Sequence, residues 1–67
     1  NYMVYSKIKG RMAELGMSQR AVAKELGLSI RSYNLKINGK RPFTIPEAEK
    51  LIVVLSLENP AEYFFNA

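Results

Sequence analysis

Arg31, Asn34 and Leu35 fall on one side of a helical pattern whose other side is held by Tyr33 and Ile37. On a wheel centred on those two apolar residues, Arg31 and Leu35 point most directly outward. Asn34 and Asn38 lie on one flank of that face and Ser32 on the other. The polar members share a chemistry. A guanidinium donates two parallel hydrogen bonds to guanine O6 and N7, and a carboxamide pairs in the same way with adenine. Each such pairing is worth about 1–3 kcal/mol of base discrimination. An outward Leu35 makes sense only if it meets something apolar. Ile30 sits at the edge of the wheel, open equally to the core and to the outer face.

The residue types that are missing narrow the function further. The chain has no His, no Asp and no Cys, and all six acids are Glu. Disulfides and thiolate metal sites are therefore excluded, and the usual equipment of hydrolytic and metal-dependent catalysis is lacking. No Gly-rich phosphate loop appears. The expectation is a protein that is not an enzyme, with no cofactor, no metal and no small-molecule ligand. No apolar run is long enough to span a membrane, and Asn1-Tyr2-Met3-Val4-Tyr5 lacks the basic lead of a signal peptide. A start without an initiator Met reads as a processed or trimmed chain. The expected setting is cytoplasmic and nucleoid-associated.

The charge is unevenly placed. Residues 1–41 carry nine Lys/Arg against two Glu, whereas residues 42–67 carry one Lys against four Glu. A basic front and an acidic back suit a domain that docks one face on a polyanion.

The elements that must position these residues are all helical, and 67 residues make one domain over 1–67. Tyr5, Ile8, Met12 and Leu15 follow the spacing of one amphipathic face, with Gly16 closing that helix. Gly10 within it costs roughly 1 kcal/mol of propensity relative to Ala, so the helix leans on packing. Ser18 caps a second helix that turns Val22, Ala23 and Leu26 inward and ends at Gly27. Ser29 caps a third, running to Ile37 or Asn38, and Asn38-Gly39 breaks it before the basic loop Lys40-Arg41-Pro42. Thr44-Ile45-Pro46-Glu47 has the form of a capping box, opening a fourth helix with Ala48, Leu51, Ile52 and Leu55 inward. Asn59-Pro60-Ala61-Glu62 starts a short fifth helix ending in Tyr63-Phe64-Phe65. The expected fold is all-α, a compact five-helix domain.

The join between the second and third helices carries the strongest local signal. Ala23 is small where the two helices cross, Gly27 supplies positive φ in a tight turn, and Leu28 drops back between them. Together these fix an angle that lets the second helix of the pair enter a major groove while the first braces on the backbone.

Ser18, Gln19, Val22, Ala23, Leu26, Gly27, Leu28 and Ser29 stand at the spacing of the lambda repressor/Cro-like (XRE-type) helix-turn-helix, which this segment resembles. The continuation from Lys36 to Thr44 resembles phage-derived members, and the likeness runs over about residues 6–65. The resemblance implies a lambda repressor-like fold and a transcriptional regulator of phage or prophage type. It also implies that Gln19 clamps a phosphate, that Ile30 and Arg31 read bases, that Leu35 touches thymine methyls and that Asn38 contacts the backbone. Lys36 stands where several relatives place a core Leu. Its stem must therefore lie along apolar surface, or the helix must rotate slightly.

The expected site thus has Ile30, Arg31, Asn34 and Leu35 on bases, with Gln19, Ser32, Asn38, Lys40 and Arg41 on the backbone. The expected partner is double-stranded DNA, bound by a repressor whose third helix occupies the major groove. Pairing of two copies on half-sites about 34–36 Å apart is the habit of such proteins. The Tyr63-Phe64-Phe65 cluster either closes the core against the first helix or builds that two-fold interface, and Tyr2 and Tyr5 have the same two options. The alternative function is a protein-interaction module, antitoxin-like or for assembly. Ile30 and Leu35 favour it; the charge asymmetry opposes it.

Overall fold

The computed structural model describes residues 5–64, which form five helices. These are α1 (Ser6–Leu15), α2 (Gln19–Leu26), α3 (Ile30–Ile37), α4 (Ile45–Val54) and α5 (Pro60–Phe64). Among the described residues there is no strand, and no helix is long and apolar enough to cross a membrane.

The helices α2, α3 and α4 each start where a side chain satisfies open amides, whereas Tyr5 before α1 offers no such cap. Ser18 Oγ accepts from the Ala21 amide at 3.1 Å, and Ser29 Oγ accepts from that of Ser32 at 3.1 Å. Thr44 and Glu47 form the full capping box, with the Glu47 amide donating to Thr44 Oγ1 and the Thr44 amide to Glu47 Oε1. The ends are equally local. At Gly27, with φ 72°, the Leu28 amide reaches back to the Ala23 carbonyl and the Gly27 amide to that of Lys24. This paired closure turns the chain sharply enough to launch α3 two residues later.

The helices meet around Ile8 and Met12 of α1, Val22, Ala23 and Leu26 of α2, and Tyr33 and Ile37 of α3. Leu51, Leu55 and Leu57 close the core from the C-terminal side. Burying side chains of this size contributes about 1.5–3 kcal/mol each, the main favourable term in so small a domain. Leu28 packs against this cluster from the turn, as its position between the helices requires. An aromatic group closes one side: the Tyr5 ring lies 5.4 Å from that of Phe43 and 6.1 Å from that of Phe64. Tyr63 and Phe64 are therefore packed on their own domain; Phe65 and Tyr2 lie outside the described residues.

Two details depart from the periodicity. Leu15 is 41% exposed, not inward, because the core ends before the last residue of α1; Met17, beyond the Gly16 turn, packs there instead. Ala48 is only half-buried, which leaves Leu51 and Leu55 as the fully buried residues of that segment.

Candidate nucleic-acid interface

The α2–turn–α3 unit presents most of the residues whose chemistry suits a base-paired surface. Tyr33 and Ile37 are fully buried and anchor α3, so its opposite side faces out. Arg31 and Asn34 are exposed and Ser32 is half-buried; Leu35, expected to point directly outward, is also half-buried, so the wheel overstated its exposure. Ile30 is 45% exposed, which assigns it to the outer face and not to the core.

Gln19 and Asn34 come together. The Asn34 carboxamide nitrogen donates to Gln19 Oε1 at 3.1 Å, joining the first residue of α2 to the middle of α3. Each amide keeps a second polar end free of this bond: the oxygen of Asn34 and the nitrogen of Gln19. The pair thus fixes two side chains, one offering an acceptor and the other a donor, at the junction of the helices.

Asn38 is used differently. Its Oδ1 accepts from Lys9 Nζ at 2.7 Å and its Nδ2 donates to the Asn34 carbonyl at 2.9 Å. The side chain therefore ties the end of α3 to α1, a link strengthened by the Tyr5 amide donating to the Ile37 carbonyl at 3.2 Å. Lys9 is a member of this neighbourhood that sequence reasoning missed. No local signal marks it, since it lies 29 residues from its partner.

Cations bracket α3. Arg31 is at its first turn, and the exposed Lys40 and Arg41 follow its end; among the described residues none of the three forms an ion pair. Lys36, by contrast, is neutralised. Its ammonium reaches Glu47 Oε1 in α4, with both side chains largely covered at 12% and 15% exposure. The stem lies along the inter-helix surface, and the charge is met by a carboxylate. Partial burial alone would raise the Glu47 carboxyl. Hydrogen bonds from Lys36 and Thr44, with the Lys36 charge, outweigh that and hold it below its ordinary value. No group of three or more potential metal ligands occurs among the described residues.

Fold and surface together define a small all-helical domain with cations at both ends of α3. The solution structure of the modulator of repression (MOR) of the temperate bacteriophage TP901-1 from Lactococcus lactis is similar, with a TM-score of 0.74. The two share 34% identity over 97% of this chain and 90% of that one. The chain belongs to the family DUF739, described as a protein of unknown function, whose profile matches residues 2–67. Among curated proteins nothing matches it.

Proposed function

We propose that this protein is a phage-type transcriptional regulator that binds double-stranded DNA, with a helix-turn-helix of the lambda repressor/Cro-like (XRE) kind formed by α2 and α3. The observation that carries the reading is the set of exposed cations at both ends of α3, without an ion pair among the described residues, around a face that offers Arg31 and Asn34 outward. Such a face has polar groups for base edges at its centre and positive charge for phosphates at its margins. In this reading Arg31, Asn34, Ile30 and Leu35 meet bases. Gln19, Ser32, Lys40 and Arg41 hold the backbone, while Asn38 acts there through its own amide or by fixing the helix end. A regulatory role in phage accords with the related protein, a modulator of repression.

A second reading rests on Ile30, an apolar residue 45% exposed at the front of α3, which suits a protein partner better than a base edge. The two are separated by substitution. In the DNA reading Arg31→Ala weakens binding to preferred duplexes and relaxes preference at one base pair. Lys40→Ala weakens binding to all sequences and reduces the salt slope by roughly one unit. If neither changes DNA affinity, the protein-partner reading takes its place.

A further inference from the structure

We propose that Lys9 of α1 supplies a phosphate contact at the margin of the α3 face, held in place for it by Asn38. This role rests on the DNA reading of α3 and adds to it a cation from a helix outside the helix-turn-helix. Three hydrogen bonds form one row that crosses from α1, over the end of α3, to the start of α2. Lys9 Nζ donates to Asn38 Oδ1 at 2.7 Å, Asn38 Nδ2 to the Asn34 carbonyl at 2.9 Å, and Asn34 Nδ2 to Gln19 Oε1 at 3.1 Å. Asn34 and Asn38 stand on the same flank of α3, so the row runs along one edge of its outer face.

The ends of the row decide what it can meet. Lys9 spends one ammonium N–H on Asn38 and keeps two, with no acceptor of its own. At the other end the Gln19 Nε2 donors are free of the row. A cation and N–H donors along a helix edge suit phosphate oxygens, which accept and carry negative charge. Asn38 is poorly placed for that contact itself, since its oxygen meets the ammonium and one of its N–H groups meets the Asn34 carbonyl. Its part is to position. Lys9 is half-buried and forms no ion pair among the described residues, so its charge is fixed in place without being neutralised by a carboxylate. An ammonium already held in this way loses less freedom on docking than those of exposed side chains. The other use of an ammonium here is internal: it meets the negative end of the α3 dipole at its C-terminal carbonyls. That use involves no phosphate, so salt dependence separates the two.

The test is anisotropy of a fluorescein-labelled random-sequence duplex titrated across salt, because a phosphate contact needs no particular sequence. Lys9→Met is expected to reduce the slope of log K against log salt by roughly one unit. Lys9→Arg, which keeps the charge, retains the wild-type slope. Asn38→Ala weakens binding by wild type and adds nothing further to Lys9→Met. Melting followed by circular dichroism checks the fold; should Lys9→Met not fold, Lys9→Gln removes the charge while keeping a donor toward Asn38. A folded, charge-free variant with the wild-type slope overturns the phosphate contact and leaves Lys9 as a tie between helices. Equal losses from Asn38→Ala with and without Lys9→Met overturn the positioning role. In both of those outcomes the DNA reading survives, whereas a wild type that binds no duplex at low salt overturns the two together.

Discussion

Lys36 in the last turn of α3 and Glu47 in the first turn of α4 share a hydrogen bond whose acceptor oxygen also receives the Thr44 amide. One carboxylate thus caps α4 and binds it to the end of α3. That oxygen joins the buried Tyr33 and Ile37 in setting where the candidate reading helix sits.

Glu47→Gln keeps a capping amide but removes the charge that Lys36 meets. The expected loss is about 1.5–3 kcal/mol at neutral pH, the size of a hydrogen bond to a charged group. Because the folded carboxyl titrates below its ordinary value of 4.5, its contribution is complete above that pH and fades as pH falls through the folded value. Urea unfolding should show the gap between wild type and variant closing in acid. A gap independent of pH would mean the ion pair contributes nothing.

Ser56 adopts φ 51° just past α4, in a closure where its amide reaches Val53 and the Leu57 amide reaches Ile52. Other turns of this kind in the domain use glycine, which takes that conformation without strain. Ser56→Gly should therefore stabilise the fold by about 1 kcal/mol, raising Tm by roughly 4–8 °C for a domain this size. Calorimetry reads it directly.

Tyr33 is fully buried with its hydroxyl donating to Met12 Sδ at 3.1 Å, and burial pushes its phenol up to about 12. A raised folded value means its contribution is whole below the ordinary 10.0 and is lost as pH climbs toward 12. Wild type should lose stability through that alkaline window, and Tyr33→Phe should lose less. At neutral pH the substitution costs under about 1 kcal/mol, because a thioether is a weak acceptor.

Gln19 and Asn34 act as a unit if their hydrogen bond persists on DNA. Gln19→Ala and Asn34→Ala should each lower duplex affinity, and the double variant should lose less than the summed single effects. Neither is in the core, so stability should move by no more than about 0.5 kcal/mol. Strictly additive losses in a binding cycle would show that the two act apart.

Much of this architecture was legible in short stretches of sequence. Ser18, Ser29, Thr44, Gly16 and Gly27 act on amides and carbonyls within a few residues of themselves, so the ends of α1 and α2 and the starts of α2, α3 and α4 could be read locally; the start of α1 and the end of α4 carry no such signal. Tyr33 and Ile37 similarly fixed which side of α3 faces out. The links that orient the face were not legible. Gln19–Asn34, Lys9–Asn38 and Lys36–Glu47 exist only once separate helices are packed, and no local pattern names one partner from the other. Lys36 shows the gain from structure most clearly: a charge at an inward position is explained by a carboxylate eleven residues on. Leu15 shows the opposite failure, a correct helical period continued one position beyond the core.

The central claim is that α3 and its flanking cations read DNA, and fluorescence anisotropy of the chain on a pool of duplexes, titrated from low to physiological salt, tests it most directly. The account predicts tight binding by a few sequences, with log K falling linearly in log salt and a slope that counts the phosphates met. No binding at low salt would contradict it and turn attention to the exposed Ile30 and a protein partner.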